Sequence, residues 1–223
     1  MDEGSGLGDD EMTGSGLDRT TNQQNREAFR ALIELIEEAR ELGYETKVDG
    51  AQLYGHVPHV GPQAWLHELY SGLNPAEMDA LVERIQRPIP AQYGWWLTQT
   101  NGMSLFSGAL EFCALVRVRS RAIDNRQPFD LFLEGEVQRR VLRAGPEVFF
   151  FATTGVGKGS RFYLDTRSGA VHRCARDSAT PLWSWSSIAE LIRVESRRLS
   201  KLFDKTGRCT VEREQIWTTS ASS

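Results

Sequence analysis

The stretch GVGKGS at residues 155–160 comes near to a phosphate-binding loop. Such a loop, G-x-x-x-x-G-K-[ST], lies between a strand and a helix and holds phosphates with its backbone amides and lysine. When Gly157 and Lys158 are aligned on this motif, Ala152 stands where the first glycine belongs. Gly159 stands where the hydroxyl residue belongs, and the following SRFYLDT alternates as a strand does. Without a helix amino terminus to face a phosphate, we expect a connection between antiparallel strands, with no nucleotide and no cofactor.

The other residues that could do chemistry form no recognisable catalytic or metal-binding set. Cys113, Cys174 and Cys209 are far apart and odd in number, so they predict neither a disulfide framework nor metal-ligand spacing. His56 and His59 lie in GHVPHVG, a loop-like stretch with no further ligand nearby. We expect idle thiols in a reducing cytosol, no metal site, no catalytic residue and no enzyme activity. An enzyme that uses the glycine-rich loop is a minor alternative.

The two ends of the chain differ in composition from its body. The protein has 223 residues and a formal net charge of −4. Residues 1–18 carry six acidic residues and no basic one, so without them the net charge is +2. Residues 1–24 have few apolar side chains to bury, and their composition predicts a disordered acidic tail rich in Gly and Ser. Residues 206–223 predict a polar C-terminal tail, which leaves one domain over residues 25–205.

Nothing in the sequence predicts targeting to a membrane. The amino terminus shows no basic region followed by an apolar one, as a signal peptide would. The longest apolar run, residues 148–152, is far too short to span a bilayer. We therefore expect a cytoplasmic protein.

Apolar residues at spacings of three and four predict helices before and after a central region. The clearest one begins at Asn74, where Pro75 takes the first helical position and Glu77 can close a capping box. A helix over 91–100 follows and is closed by Asn101–Gly102. The predicted helices span residues 25–43, 63–72, 74–87, 91–100 and 184–203.

The central region has the alternation and the β-branched and aromatic residues of strands. Strong candidates are residues 109–118, 148–153, 160–166 and 170–174, and weaker ones are 129–133 and 141–142. Helices, then strands, then a helix are typical of an α+β fold. We predict an antiparallel sheet packed with helices on one side, together with an extra N-terminal helix.

Residues 73–102, LNPAEMDALVERIQRPIPAQYGWWLTQTNG, resemble the SUKH superfamily, which includes yeast cell-wall assembly regulators and bacterial toxin-immunity proteins. The family pattern is a helix, then L-P-x-x-[YF]-x-x-[FW]-L, then N-G. Its second hallmark is a glycine-bearing loop, an aromatic strand and a hairpin, and FFFATTGVGKGSRFYLDTRSGAVHRC is similar to it. The residues in the matching positions are Pro90, Tyr93, Trp96, Leu97, Asn101, Gly102, Gly159, Phe162, Tyr163, Asp165 and Gly169.

The resemblance covers residues 63–203 and implies a single SUKH-like domain that binds a protein. The extra helix 25–43, the arginine-rich segment 115–145 and Ile89 in place of leucine depart from the family pattern. Superfamily members are not known as enzymes, and the bacterial ones neutralise toxins by direct contact. The resemblance therefore implies an immunity protein whose partner is a cognate toxin domain. A scaffold or regulatory interaction module of the cell-wall assembly type is the alternative.

Two features of composition bear on the source and on the partner. Arginine outnumbers lysine 22 to 4, which is typical of high-GC bacteria and favours the immunity interpretation. A net charge of +2 on the body is small for a nucleic-acid-binding domain. We expect a protein partner, and neither nucleic acid nor a membrane.

The candidate partner-binding residues are three arginines and two apolar residues. Arg117, Arg119 and Arg121 alternate in LVRVRSR, so a strand would project them from one face toward an acidic partner surface. A solvated strand face is the commoner explanation of such a pattern. Met103 and Phe106 follow the predicted Asn-Gly turn, where we expect them to be exposed.

Overall fold

A nine-stranded antiparallel sheet forms the centre of the protein. The computed structural model describes residues 19–117, 126–155 and 159–217. Within these ranges the strands lie side by side in chain order, each antiparallel to the next. The strands are β1 (Tyr44–Thr46), β2 (Gln52–His56), β3 (Trp65–Ser71), β4 (Thr100–Leu105), β5 (Leu110–Phe112), β6 (Val148–Thr153), β7 (Ser160–Asp165), β8 (Val171–Ala175) and β9 (Pro181–Trp185).

Helices precede, interrupt and follow the strands, which confirms the predicted α+β class. Short 3-10 helices span Glu38–Leu42 and Arg213–Gln215, and a π-helix over Phe132–Val137 runs directly into α4. Across the three described ranges, no helix has the length and apolarity needed to cross a membrane. The α-helices are α1 (Arg19–Glu37), α2 (Pro75–Ile85), α3 (Ala91–Gln99), α4 (Gln138–Val141) and α5 (Ile188–Ser200).

Side-chain caps set where two of the helices begin. At α2, the Asn74 side chain accepts a hydrogen bond from the Glu77 amide at 3.0 Å, and the Glu77 carboxylate accepts one from the Asn74 amide at 3.0 Å. Pro75 occupies the first helical turn, as predicted. At α5, the Ser187 hydroxyl accepts from the Glu190 amide at 3.1 Å. These bonds satisfy amides that have no partner inside a helix.

The main core lies between one face of the sheet and helices α1, α2, α3 and α5. Each large apolar side chain buried there contributes about 1.5–3 kcal/mol to stability. The members of this core include Leu32, Ile36, Leu81, Trp96 and Leu97 from the helices, and Leu105, Phe112, Phe151 and Phe162 from the strands.

A smaller cluster covers the opposite face of the sheet. Phe150 and Tyr163 are partners in β6 and β7 and point away from the main core. Leu142 and Ala144, which follow α4, pack against this cluster. The prediction of helices on one side therefore describes α1, α2, α3 and α5, whereas the chain after α4 adjoins the other face.

Residues 63–72, predicted as a short helix, instead contain strand β3. This strand pairs with β2 along one edge and with β4 along the other. Leu69 points into the main core and Glu68 points to the opposite face, as alternation in a strand requires. Strand β3 is buried on both faces from Leu66 to Tyr70, so its apolar residues do not alternate strictly with polar ones. They therefore also match the spacing of three and four that is typical of a helix. Pairing on both edges overrides that local signal.

Other boundaries also differ from the predictions. Asn101–Gly102 lie within β4 and do not form a turn that ends α3. Strand β5 ends at Phe112, and Ala114 makes only an isolated bridge to Asp130. Residues 132–141, which overlap both weak strand candidates, are helical.

Both ends of the domain extend beyond the predicted boundaries. Helix α1 begins at Arg19. Near the other end, Ile216 is 1% exposed, and the Trp217 ring lies 5.2 Å from the Phe162 ring. The Trp217 indole nitrogen donates to the carbonyl of Ala109 at 2.9 Å. Residues 206–217 are polar in composition, but these two anchors attach them to the body, so they are not a free tail. Residues 1–18 and 218–223 lie outside the described ranges.

Trp217→Ala should therefore destabilise the protein although it lies near the carboxyl terminus. We expect a loss of about 3 kcal/mol in the free energy of unfolding, because a packed indole and its hydrogen bond are removed. Urea denaturation measures this loss. Trp183→Ala is the matched control, since Trp183 is 52% exposed, and it should cost under about 1 kcal/mol. Equal losses in the two variants would contradict the docked position of Trp217.

Candidate partner-binding surface

The residues of α3 that match the SUKH pattern lie where this helix packs on the sheet. Tyr93, Trp96 and Leu97 are each at most 1% exposed. The Tyr93 hydroxyl donates to the carbonyl of Cys113 and also lies 3.3 Å from the carbonyl of Phe151. One side chain thus fixes α3 against the chain after β5 and against β6. These three residues therefore belong to the main core.

The extra helix α1 covers the outer side of the same junction. The Phe29 ring lies edge-on to Trp96 at 5.8 Å and to Trp95 at 6.2 Å. Pro90 is the residue before α3, and its φ of −55° and ψ of 134° bring the chain into the helix. Helix α3 therefore packs against the sheet on one side and against α1 on the other.

Asn101 and Gly102 have roles that differ from the predicted turn. The Asn101 side chain donates to the Leu115 carbonyl at 2.8 Å and accepts from the Leu115 amide at 3.0 Å, so it imitates a strand pairing. Gly102 has a φ of 77°, and a Cβ there would stand 2.6 Å from the carbonyl oxygen of Phe112. Only glycine fits this position.

The second hallmark lies in β6, β7 and β8 and includes the turn after β7. Strand β7 follows the glycine-rich loop and pairs antiparallel with β6, where a phosphate loop would need a helix. At the far end, Asp165 accepts from the Arg167 amide at 2.8 Å, and this bond lowers the pKa of Asp165. Gly169 completes that turn with a φ of 77°. The matching residues in this part are Gly159, Phe162, Tyr163, Asp165 and Gly169.

Arg117 is held within the protein and is not free for a partner. Its Nε donates to Glu77 Oε1 at 2.7 Å, and its Nη2 donates to the Ser71 carbonyl at 2.8 Å. These bonds fasten the chain after β5 to the start of α2. Arg119 and Arg121, the other two predicted contact arginines, lie outside the described residues.

Met103 and Phe106 are buried, so the exposure expected for them is wrong. Their side chains are 1% and 2% exposed. Strand β4 continues through Met103 and turns it toward the main core, opposite Phe112. The Phe106 ring packs edge-on against the His67 ring at 4.6 Å. Burial lowers the pKa of His67 to about 3, so this imidazole is neutral near pH 7.

Residues 129–143, called the 129–143 segment below, have the exposed composition of a protein-binding patch. None of the segment's three acidic residues is exposed. A helical segment on a protein surface normally buries apolar residues and exposes charged ones, so here the acidic residues have the reverse placement. The exposed residues are Phe129, Leu133 and Val141, at 43%, 48% and 67%, and Arg140 and Arg143.

The Glu136 carboxylate is the most enclosed of these acidic groups. Its side chain is 5% exposed. It accepts hydrogen bonds from Arg139 at 2.7 Å and from Arg140 at 2.9 Å, and Arg87 lies 3.5 Å away. Hydrogen bonding from Arg139, reinforced by Arg140, lowers the pKa of Glu136 to about 2. The carboxylate is therefore ionised and neutralised by its neighbours at physiological pH.

Two further ion pairs fasten the segment to the body. Asp130 pairs with Arg84 of α2. Glu134 pairs at 2.8 Å with Arg161 of β7, which is only 2% exposed. Gly135 lies against β6, where an added Cβ would stand 2.8 Å from the Phe150 carbonyl. The acidic side chains thus point inward and hold the segment on α2 and the sheet.

The outward apolar residues follow one spacing. Phe129, Leu133, Val137 and Val141 are each four residues apart. Residues four apart are neighbours on one helical face, so Leu133, half-buried Val137 and Val141 line one side of the π-helix and α4. This surface was not predicted, because residues 129–133 and 141–142 have the composition of strands. The spacing of four was the signal that could have revealed it.

A row of polar side chains crosses β3, β4 and β5 on the face opposite the main core. Ser104 lies between Glu68 and Glu111 in the register and donates to Glu111 Oε1 at 3.0 Å. Glu68 accepts from Tyr70 at 3.0 Å and from Arg126 at 2.9 Å. Burial raises the pKa of Glu111 to about 8, so it holds a proton near neutrality. Each carboxyl has a partner in the protein, and the row therefore has a structural role.

Comparison with known proteins adds no identification. No protein-family model matches the chain, and no curated protein matches it.

Glu136→Gln should destabilise the protein at neutral pH and change how stability depends on acid. The native pKa of Glu136 lies below its ordinary value of 4.5, so its contribution is present above pH 4.5 and is lost as pH falls toward 2. We expect a loss of about 3 kcal/mol at pH 7, because three arginines then face a neutral amide. The loss should shrink as the pH falls from 4.5 toward 2. Urea denaturation at pH 7 and pH 3 measures both effects.

Glu147→Gln is the matched control for that experiment. Glu147 pairs at 3.4 Å with Arg167, whose side chain is 76% exposed. Removing such a surface pair should cost under about 1 kcal/mol at either pH. A Glu136→Gln variant as stable as this control would show that the arginine cluster does not hold the 129–143 segment.

Proposed function

We propose that this chain is a non-catalytic, SUKH-like protein-binding domain that gives immunity to a bacterial toxin by direct contact. One observation supports a binding role above the others: the 129–143 segment exposes three apolar residues and two arginines while its acidic residues pair inward. Exposed apolar patches with arginine at their margin are typical of protein–protein interfaces.

The residues behind the family resemblance favour the SUKH-like part of this proposal. Tyr93, Trp96 and Leu97 pack α3 on the sheet, and the antiparallel β6 and β7 follow in the expected order. The proposal of no catalytic role rests on the chain's motifs, in which the glycine-rich loop leads into a strand. The predominance of arginine over lysine favours immunity over the scaffold alternative.

An immunity protein must occupy its toxin at low intracellular concentration. This requires a dissociation constant near or below the nanomolar range, about −12 kcal/mol. Affinity of that size comes mostly from a few anchors that are fully desolvated in the complex. Leu133 and Val141 are suited to this role, since about half or more of each side chain is exposed.

The proposal expects a toxin gene next to the gene of this protein, and co-expression with the toxin domain of that neighbouring gene tests it. The wild-type protein should rescue growth and bind the toxin domain. Replacing Leu133 and Val141 by aspartate should weaken binding at least about tenfold, because charged groups would have to be desolvated in the interface. Val48→Asp is the matched control, since Val48 is fully exposed between β1 and β2, and it should leave rescue unchanged. Circular dichroism checks that each variant folds.

Each outcome of this experiment has a distinct meaning. If no toxin gene is adjacent, or if the wild-type protein neither binds nor rescues, the immunity proposal fails and the scaffold alternative takes its place. If the double variant rescues fully, the function stands and the surface is wrong.

A further inference from the structure

We infer that the partner surface which fits the 129–143 segment has an apolar centre rimmed by carboxylates. This inference rests on the proposed function and specifies the chemistry of its partner. It follows from the side chains that the segment leaves exposed after its internal ion pairs are made.

The exposed charge of the segment has one sign. Asp130 and Glu136 have side chains that are 10% and 5% exposed, and Glu134 is 27% exposed. All three pair with arginines of the body or of the segment itself. A partner that approaches this surface therefore meets the apolar residues and guanidinium groups, with little negative charge.

Two arginines stand at the carboxyl end of the apolar face. Arg143 is exposed, and its guanidinium makes no hydrogen bond or ion pair with the residues that the structure describes. It follows α4 with a φ of 52°, in the left-handed region. Arg140 is 56% exposed although its Nε is bound to Glu136. Its remaining N–H groups can donate to a second carboxylate.

The attachment of Arg140 to Glu136 favours binding of a further anion. The bond orients the guanidinium before a partner arrives, so less side-chain freedom is lost in the complex. Arginine also pairs with a carboxylate through two parallel hydrogen bonds, which fixes orientation as well as charge. The point charge of a lysine would give neither this orientation before binding nor two parallel hydrogen bonds to one carboxylate.

Apolar contact supplies the centre of the interface. Leu133 and Val141 lie on the face that also contains half-buried Val137. A membrane surface could also accept apolar residues beside arginines, but the π-helix and α4 together have only 10 residues, 6 in the first and 4 in the second. Such a short helix, fixed by ion pairs to the body, offers little apolar area to insert in lipid. The observations therefore favour a protein partner.

Charge reversal at Arg143 tests the inference, with the neighbouring gene's toxin domain as the binding probe. Arg143→Glu should slow association at least about tenfold at low salt, because carboxylates on the partner would repel it. The wild-type association rate should fall as salt is added, and the variant's rate should fall less. Arg143→Lys should keep most of the wild-type rate. The matched control is Arg30→Glu on α1, which is exposed and should change the rate less than about twofold.

The outcomes separate this inference from the proposed function. If the wild-type protein does not bind the toxin domain, the proposed function fails and the inference with it. If it binds and Arg143→Glu associates as fast as wild type or faster, the function stands and the acidic rim is refuted. Sedimentation with vesicles of equal parts phosphatidylglycerol and phosphatidylcholine forms a second arm. Binding there that Arg143→Glu abolishes would assign the surface to an anionic membrane and overturn the inference.

Discussion

The ion cluster around Glu136 determines the character of the whole 129–143 segment. A buried carboxylate without a partner would cost several kcal/mol, and here Arg87, Arg139 and Arg140 surround it. Because the negative charges of the segment are paired inside, its outer side can carry apolar residues with no unpaired charge beneath them. The outward position of Leu133 and Val141 depends on this inward pairing.

The rest of the fold provides a rigid base for that segment. The main core fills one face of the sheet, and Tyr93 fixes α3 to the chain after β5 and to β6. Strand β6 packs against the 129–143 segment, because Gly135 approaches the Phe150 backbone closely. A binding surface held in place before the partner arrives loses less entropy on association. In the proposed complex, the sheet would therefore contribute to binding although none of its strands is proposed to touch the partner.

Local signals made much of the fold predictable. Asn74 and Pro75 mark the start of α2 because caps act within one turn, and the alternation after the glycine-rich loop marks β7. Strand β3 was mistaken for a helix because it is buried on both faces. The proposed partner-binding surface was missed because the ion pairs that join its acids to α2, Arg87 and β7 connect residues 27 to 49 positions apart, and only the pairs of Glu136 with Arg139 and Arg140 are local. No local pattern shows which distant arginine meets which carboxylate.

Amide hydrogen exchange on the free protein and on its complex with the neighbouring gene's toxin domain tests the central claim most directly. If the 129–143 segment is the contact surface, its amides should exchange more slowly in the complex. Those of α5, in the helical layer behind the main core, should be unchanged. Protection confined to other parts of the chain, with the 129–143 segment exchanging as in the free protein, would contradict the account.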